Sequence, residues 1–269
     1  MKNKKYSILL IACITLLLGN GYAKSPANQV QSPIPNSVIK FFSLDTTFYK
    51  KCVMADVLPI ISSSKVPDEA LLQARKIILR MCQYRHDILR KVVENKVRLG
   101  VMSVSELTTD MPEQRDLTPK DYWDKRARGL GATIESPLVS CAEENVLGYD
   151  NDRYYLEDIL MHEFAHVIHQ MGMNYLDPEF DENLKKLYEG AKKKGLWINT
   201  YAGSNYSEYW AEGVQSWFNV GSTKSGDGVH NGIYNRKQLK KYDPELYKLI
   251  SSVFKSTRLN VRNISKHVH

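Results

Sequence analysis

The sequence predicts an α+β domain, mainly helical with a small sheet, set behind a leader and a tether. Three observations carry this reading. Apolar residues recur at helical spacing in several long stretches, only two segments have strand length, and the most histidine-rich segment lies inside a helical pattern. The 269 residues are 43% hydrophobic and 25% charged, which is enough apolar content for one core and too much for a disordered chain.

In chain order, residues 1–23 read as a signal peptide. Lys2, Lys4 and Lys5 form a basic start, Tyr6 to Leu18 are apolar apart from Ser7 and Thr15, and the stretch closes on small residues ending at Ala23. The apolar run is shorter than the roughly 20 residues needed to span a bilayer, so no transmembrane helix is expected in the mature chain. The implied location is secreted or periplasmic. Leu10-Ile11-Ala12-Cys13 offers an alternative, a lipid anchor on Cys13, although the apolar run continues past that cysteine. Without the three leader lysines, 34 basic residues face 30 acidic ones. That excess of four, with no basic cluster interleaved with aromatics, gives no case for a nucleic-acid partner, and none is expected. Cys52, Cys82 and Cys141 remain, an odd number that permits one disulfide with one thiol left over.

Residues 24–37, with Pro26, Pro33 and Pro35, read as an extended linker, and the domain is expected over 38–258 with a tail at 259–269. From Asp68, an expected N-cap, Leu71, Ala74, Ile78, Met81, Ile88, Val92 and Val93 predict one long helix ending near Asn95. Val97 to Ser103 predicts a strand. Ala132 to Cys141, interrupted by Pro137, predicts a second strand at a sheet edge. Between them Asp121 to Arg128 is charged and aromatic, and Pro244 after Asp243 opens a last helix through Phe254.

The chemistry lies in Tyr155 to Met171, which contains His162-Glu163-Phe164-Ala165-His166. On a helix, residues four apart share a face, so both imidazoles reach one zinc ion while Glu163 leans toward the open coordination position. Leu156, Ile159, Leu160, Val167 and Ile168 make the same helix apolar, and histidines buried there without metal or partners would be costly. A third ligand is needed. The metzincin spacing is excluded, because the positions that would hold its glycine and third histidine carry His169 and Gly172 in reversed order. His169 shares the face approximately, as a lesser candidate for ligand or for support behind the ligands. Downstream, Asn205 is a cap for a helix on which Glu208 and Glu212 stand one turn apart, so one carboxylate can bind zinc and the other orient a histidine.

These two segments resemble the gluzincin metallopeptidases related to the catalytic domain of anthrax lethal factor and to the clostridial Pro-Pro endopeptidases. In that family the two-histidine helix is followed by a second helix donating a glutamate, with a tyrosine seven residues before it. Tyr201 precedes Glu208 by seven. The resemblance implies a zincin-like fold, one Zn2+ per chain held by His162, His166 and Glu208, Glu163 as general base, Tyr201 as catalytic helper, and Glu212 behind the ligands. It covers Tyr155 to Phe218; the rest is similar to a group of exported metallopeptidases without known substrates. The implied activity is hydrolysis of a peptide or protein substrate lying along an edge strand, expected at Glu135 to Cys141. Two competing readings are a non-catalytic zinc-stabilised binding protein and a zinc hydrolase of a non-peptide substrate.

Overall fold

The computed structural model describes residues 29–258 and is a mixture of helices with one small sheet. The leader, Cys13, residues 24–28 and the tail 259–269 lie outside the described residues. The described part of the expected linker is tied down rather than extended: Gln31 exchanges two backbone hydrogen bonds with Cys52, and Ile34 is buried. The first helix, α1 (Asn36–Phe42), follows at once, so the folded unit begins ahead of Val38.

β1 (Lys51–Ala55) and β2 (Leu58–Ser62) form an antiparallel hairpin about Asp56, whose backbone is left-handed (φ 55°). No polar alternation marks this hairpin in the sequence, because every residue of β2 is buried. Next come α2 (Asp68–Met81) and α3 (His86–Glu94), two helices where the apolar spacing predicted one. The chain breaks at Cys82 to Arg85: Cys82 is still buried, but none of the residues from Gln83 to Asp87 is. Asp68 is the first helical residue rather than the cap, and its carboxylate pairs with Lys51 Nζ at 2.7 Å.

β3 (Arg98–Met102) matches the predicted strand. After α4 (Lys120–Arg126), β4 (Gly129–Leu130) and β5 (Leu138–Ala142) complete a sheet of order β1-β2-β3-β5-β4. β2, β3 and β5 run parallel, and β4 pairs antiparallel with β5. The segment expected at the edge is therefore interior. Pro137 stands just before β5 instead of interrupting it, with its carbonyl accepting from Arg98 N, and the ladder starts at Leu138 because proline has no N–H to donate. The edge beyond β5 belongs to β4.

α5 (Glu143–Leu147) leads into α6 (Ile159–Val167), which packs on β5 and β4 on one side. α6 continues as a π-helical segment, Ile168–Met173, then α7 (Asn174–Leu176) and α8 (Phe180–Lys193). A compact loop, 195–205, turns into α9 (Tyr206–Phe218), which packs on the other side of α6; α10 (Arg236–Tyr242) and α11 (Pro244–Phe254) close over α9. Leu160, Phe164, Ala165, Trp210 and Val214 are fully buried in this stack. Each large apolar side chain so buried contributes roughly 1.5–3 kcal/mol, well above the tenths at stake in helix propensity. Among the described residues no helix is long and apolar enough to cross a membrane. Cys52, Cys82 and Cys141 are all buried free thiols, so the permitted disulfide does not form among them.

The loop 195–205 depends on one contact. A Cβ at Gly203 would overlap the Trp197 main-chain carbonyl, which cannot rotate aside as a side-chain end could. Gly203→Ala is expected to lower unfolding free energy by about 1–3 kcal/mol in chemical denaturation, an overpacking effect. An unchanged denaturation midpoint would show that the loop does not need this approach.

Candidate metal centre

α6 starts at Asp158, whose carboxylate caps Met161 N at 2.9 Å, and this start sets His162 and His166 on the face toward α9. α9 starts at Asn205, whose side-chain oxygen accepts from Ser207 N and Glu208 N, both at 2.9 Å. That cap is the one expected from sequence. The Glu208 side chain points to the histidines rather than back to the Asn205 N–H. A cross-helix hydrogen bond, Trp210 Nε1 to Ala165 O at 2.8 Å, locks the axial position of the two helices.

Three potential ligand atoms meet at this interface. His162 Nε2 and His166 Nε2 are 3.2 Å apart, and Glu208 Oε2 is 3.0 Å from the first and 3.2 Å from the second. In a tetrahedral zinc shell with bonds of about 2.0–2.1 Å, ligand atoms stand about 3.3 Å from one another, so the spacing and the donor types fit a zinc ion. Among the described residues this is the one group of three histidine, cysteine or acidic side chains gathered so closely.

The surrounding charges are unevenly set. Burial works against a charged His162, but the Glu208 hydrogen bond and the Glu163 and Glu212 charges outweigh it and lift the imidazole to about 10. Burial likewise opposes the Glu208 carboxylate, yet hydrogen bonds from His162 and His166 hold it well below the usual range. Glu163 is half-buried beside the group and raised by burial, partly offset by the two histidines. β4 presses against it: a Cβ on Gly129 would stand 2.6 Å from Ile159 Cγ2 and 3.2 Å from Glu163 Cγ, so glycine permits this approach. The next glycine, Gly131, offers its backbone N–H to the Glu163 carboxylate.

Tyr201 Oη donates to Glu208 Oε1 at 3.1 Å, and its ring stacks on His162 with centroids 6.0 Å apart. Burial raises its hydroxyl well above the ordinary range, and Arg126 of α4 hydrogen-bonds the same side chain. Glu212 lies behind His162, with Oε1 3.5 Å from Nδ1, and burial pushes it up to about 7. His169 is not part of the group. The π-helical segment begins at Ile168 and turns the ring away, so its Nε2 meets Asp181 Oδ1 at 2.9 Å among Phe180, Tyr206 and Trp210.

Two neighbours of the histidines escaped sequence reasoning. Ser207 Oγ lies 2.9 Å from His166 Nδ1, and Gln215 Oε1 lies 3.1 Å from His162 Nδ1. Ser207 carries no distinctive signal. Gln215 does: it falls seven residues after Glu208, on the same helical face, flanked by the apolar Val214, Trp217 and Phe218. Trp197 and Tyr209, on either side of Tyr201 and Glu208 in the sequence, are core residues, and both donate hydrogen bonds to Asp243.

No protein-family model matches the chain, and no curated protein matches it. Among solved structures it is similar to the Pro-Pro endopeptidase PPEP-2 from Paenibacillus alvei, at 15% identity and a TM-score of 0.38, over 71% of this chain and 94% of that one. At that level of similarity, the reading of the site rests on its own residues.

Proposed function

We propose that the chain is an exported, zinc-dependent endopeptidase of the gluzincin type, with a zincin-like fold. The observation that carries the reading is the convergence of His162 Nε2, His166 Nε2 and Glu208 Oε2 within 3.2 Å of one another, with Glu163 beside them. His162, His166 and Glu208 would hold the ion. Zinc there supplies a Lewis acid that polarises the scissile carbonyl and brings the pKa of water toward about 7.

The chain's own groups do the remaining work. Glu163 takes the proton of the attacking water and passes it to the departing amine, a transfer that needs a carboxylate within reach of both. Tyr201 donates its phenolic hydrogen to the oxyanion of the tetrahedral species. It stands 3.1 Å from the Glu208 carboxylate, so the hydroxyl already lies at the mouth of the group. An extended peptide would add to the open edge of β4, next to Glu163, through main-chain hydrogen bonds. The export leader of the sequence suits an extracellular or periplasmic substrate.

The purified protein, incubated with a proteome with and without chelator, should produce new peptide termini that chelation abolishes. Zinc binding without new termini would favour a binding protein or a non-peptide hydrolase. Metal analysis should find one zinc per chain, with strong loss in His162→Ala and Glu208→Ala. Full zinc in Glu208→Ala, with loss in Glu212→Ala, would reassign the third ligand. Glu163→Gln should keep zinc and fold while turnover falls at least a hundredfold, since an amide cannot accept the proton; near-normal turnover in a zinc-loaded sample would remove the general-base role. Tyr201→Phe should reduce turnover about ten- to a thousandfold with Michaelis constant, zinc content and melting temperature nearly unchanged. Intact turnover would leave Tyr201 as a packing residue.

A further inference from the structure

Gln215 is fully buried in the middle of α9, where a polar side chain needs every hydrogen bond it can make. Its amide makes two. The nitrogen Nε2 lies 3.2 Å from the Asp158 main-chain carbonyl, at the start of α6, and the oxygen Oε1 lies 3.1 Å from His162 Nδ1. A carbonyl oxygen only accepts, so the NH2 end of the amide must face Asp158. The oxygen end is then left for the imidazole, and because it too can only accept, His162 Nδ1 must carry a hydrogen. The Asp158 contact thus decides the orientation, because the opposite one would set two acceptors, Gln215 Oε1 and Asp158 O, against each other.

We propose that Gln215 is the positioning residue that fixes the tautomer of His162 when the ion is bound, holding its proton on Nδ1 and leaving Nε2, beside His166 and Glu208, as the nitrogen that would meet the ion. This rests on the metal reading above and adds a residue to it. Glu212 was the expected orienting group, but its Oε1 stands 3.5 Å from the same nitrogen, beyond a good hydrogen bond. A neutral amide also suits the position. Glu163, Glu208 and Glu212 already surround His162, and a further carboxylate would add a fourth negative charge to a buried site. Anchoring to Asp158 O matters as well, because that carbonyl also accepts from His162 N at 3.2 Å. Gln215 thus ties the backbone that carries His162 to the ring that His162 presents.

Zinc affinity, measured by chelator competition, should fall about ten- to a hundredfold in Gln215→Met, the loss typical when a partner behind a ligand histidine is removed. Gln215→Glu, which restores an acceptor for Nδ1 but loses the donor to Asp158 O and adds a fourth acidic group, should recover only part of that loss and fall between Gln215→Met and the parent. Equal losses in both variants would indicate a packing role, and a Gln215→Met affinity within threefold of the parent would mean that the amide orients nothing; either outcome overturns the proposal. The unsubstituted protein provides a check that does not depend on variant folding. In zinc-loaded protein labelled with 15N-histidine, NMR should find the His162 proton on Nδ1, and an unprotonated Nδ1 overturns the assignment. If the unsubstituted chain binds no zinc, the metal reading itself fails and this inference falls with it. Binding by that chain combined with an unaffected Gln215→Met removes this inference alone.

Discussion

Two histidines and a glutamate must be kept in an apolar helix interface, and most of the local structure answers that requirement. Polar groups removed from water cost several kcal/mol each unless paired, so the α6–α9 contact is stable only if each imidazole and carboxylate has partners. The partners come in layers. Ligand atoms face one another at 3.0–3.2 Å, and the outward nitrogens of both rings meet Ser207, Gln215 and, more distantly, Glu212. All of these except the two histidines come from a single helix. The register of α9 against α6 therefore decides whether the whole group is satisfied, and the Trp210 to Ala165 hydrogen bond holds that register.

The same demand explains how the flanks are built. Asp158 and Asn205 cap the two helices and take up the Met161, Ser207 and Glu208 N–H groups beside the site. On the side of Glu163, β4 approaches closely because Gly129 has no side chain, bringing main-chain groups of an edge strand next to the proposed base. On the opposite side the 195–205 loop brings Tyr201 over the His162 ring, and it does so only because Gly203 leaves room for the Trp197 carbonyl. His230 pins a neighbouring loop by pairing with Glu157 at 3.0 Å and with Asp227 at 2.9 Å, and the Val229 carbonyl in that loop accepts from Tyr201 N at 2.7 Å. Tyr201 is thus positioned from both ends of its residue, by main chain and by hydroxyl.

Much of this was legible in the residues themselves. The spacing of His162 and His166, the cap at Asn205 and the phase of Glu208 and Glu212 are local properties: a helix places residues at fixed angles, and a cap sets where the angles start counting. The strand over Arg98–Met102 and the helix opened by Pro244 are local in the same sense. Expectations failed where local rules met a choice between conformations or neighbours, as three cases show. Apolar spacing runs across Cys82 to Arg85 without saying that the helix breaks there. The β5 segment has the composition of a strand, but whether another strand lies beyond it depends on where β4 folds back. His169 has helical phase with His162 only while the helix remains α, and the π-helical turn from Ile168 cancels that phase.

By itself, then, the sequence determined which side chains share a face and how far apart they stand along it, because dihedral angles in a helix repeat regardless of what surrounds them. Tertiary structure alone decided which of those faces meet. It selected Glu208 over Glu212 to lie against both Nε2 atoms, sent His169 to Asp181, put β4 rather than β5 at the sheet edge, and brought Gln215 to the back of His162 across 53 residues of chain. Those choices follow from packing two helices whose apolar surfaces fit in one axial register, and hydrogen bonds between residues so distant in sequence exist only once that fit is made.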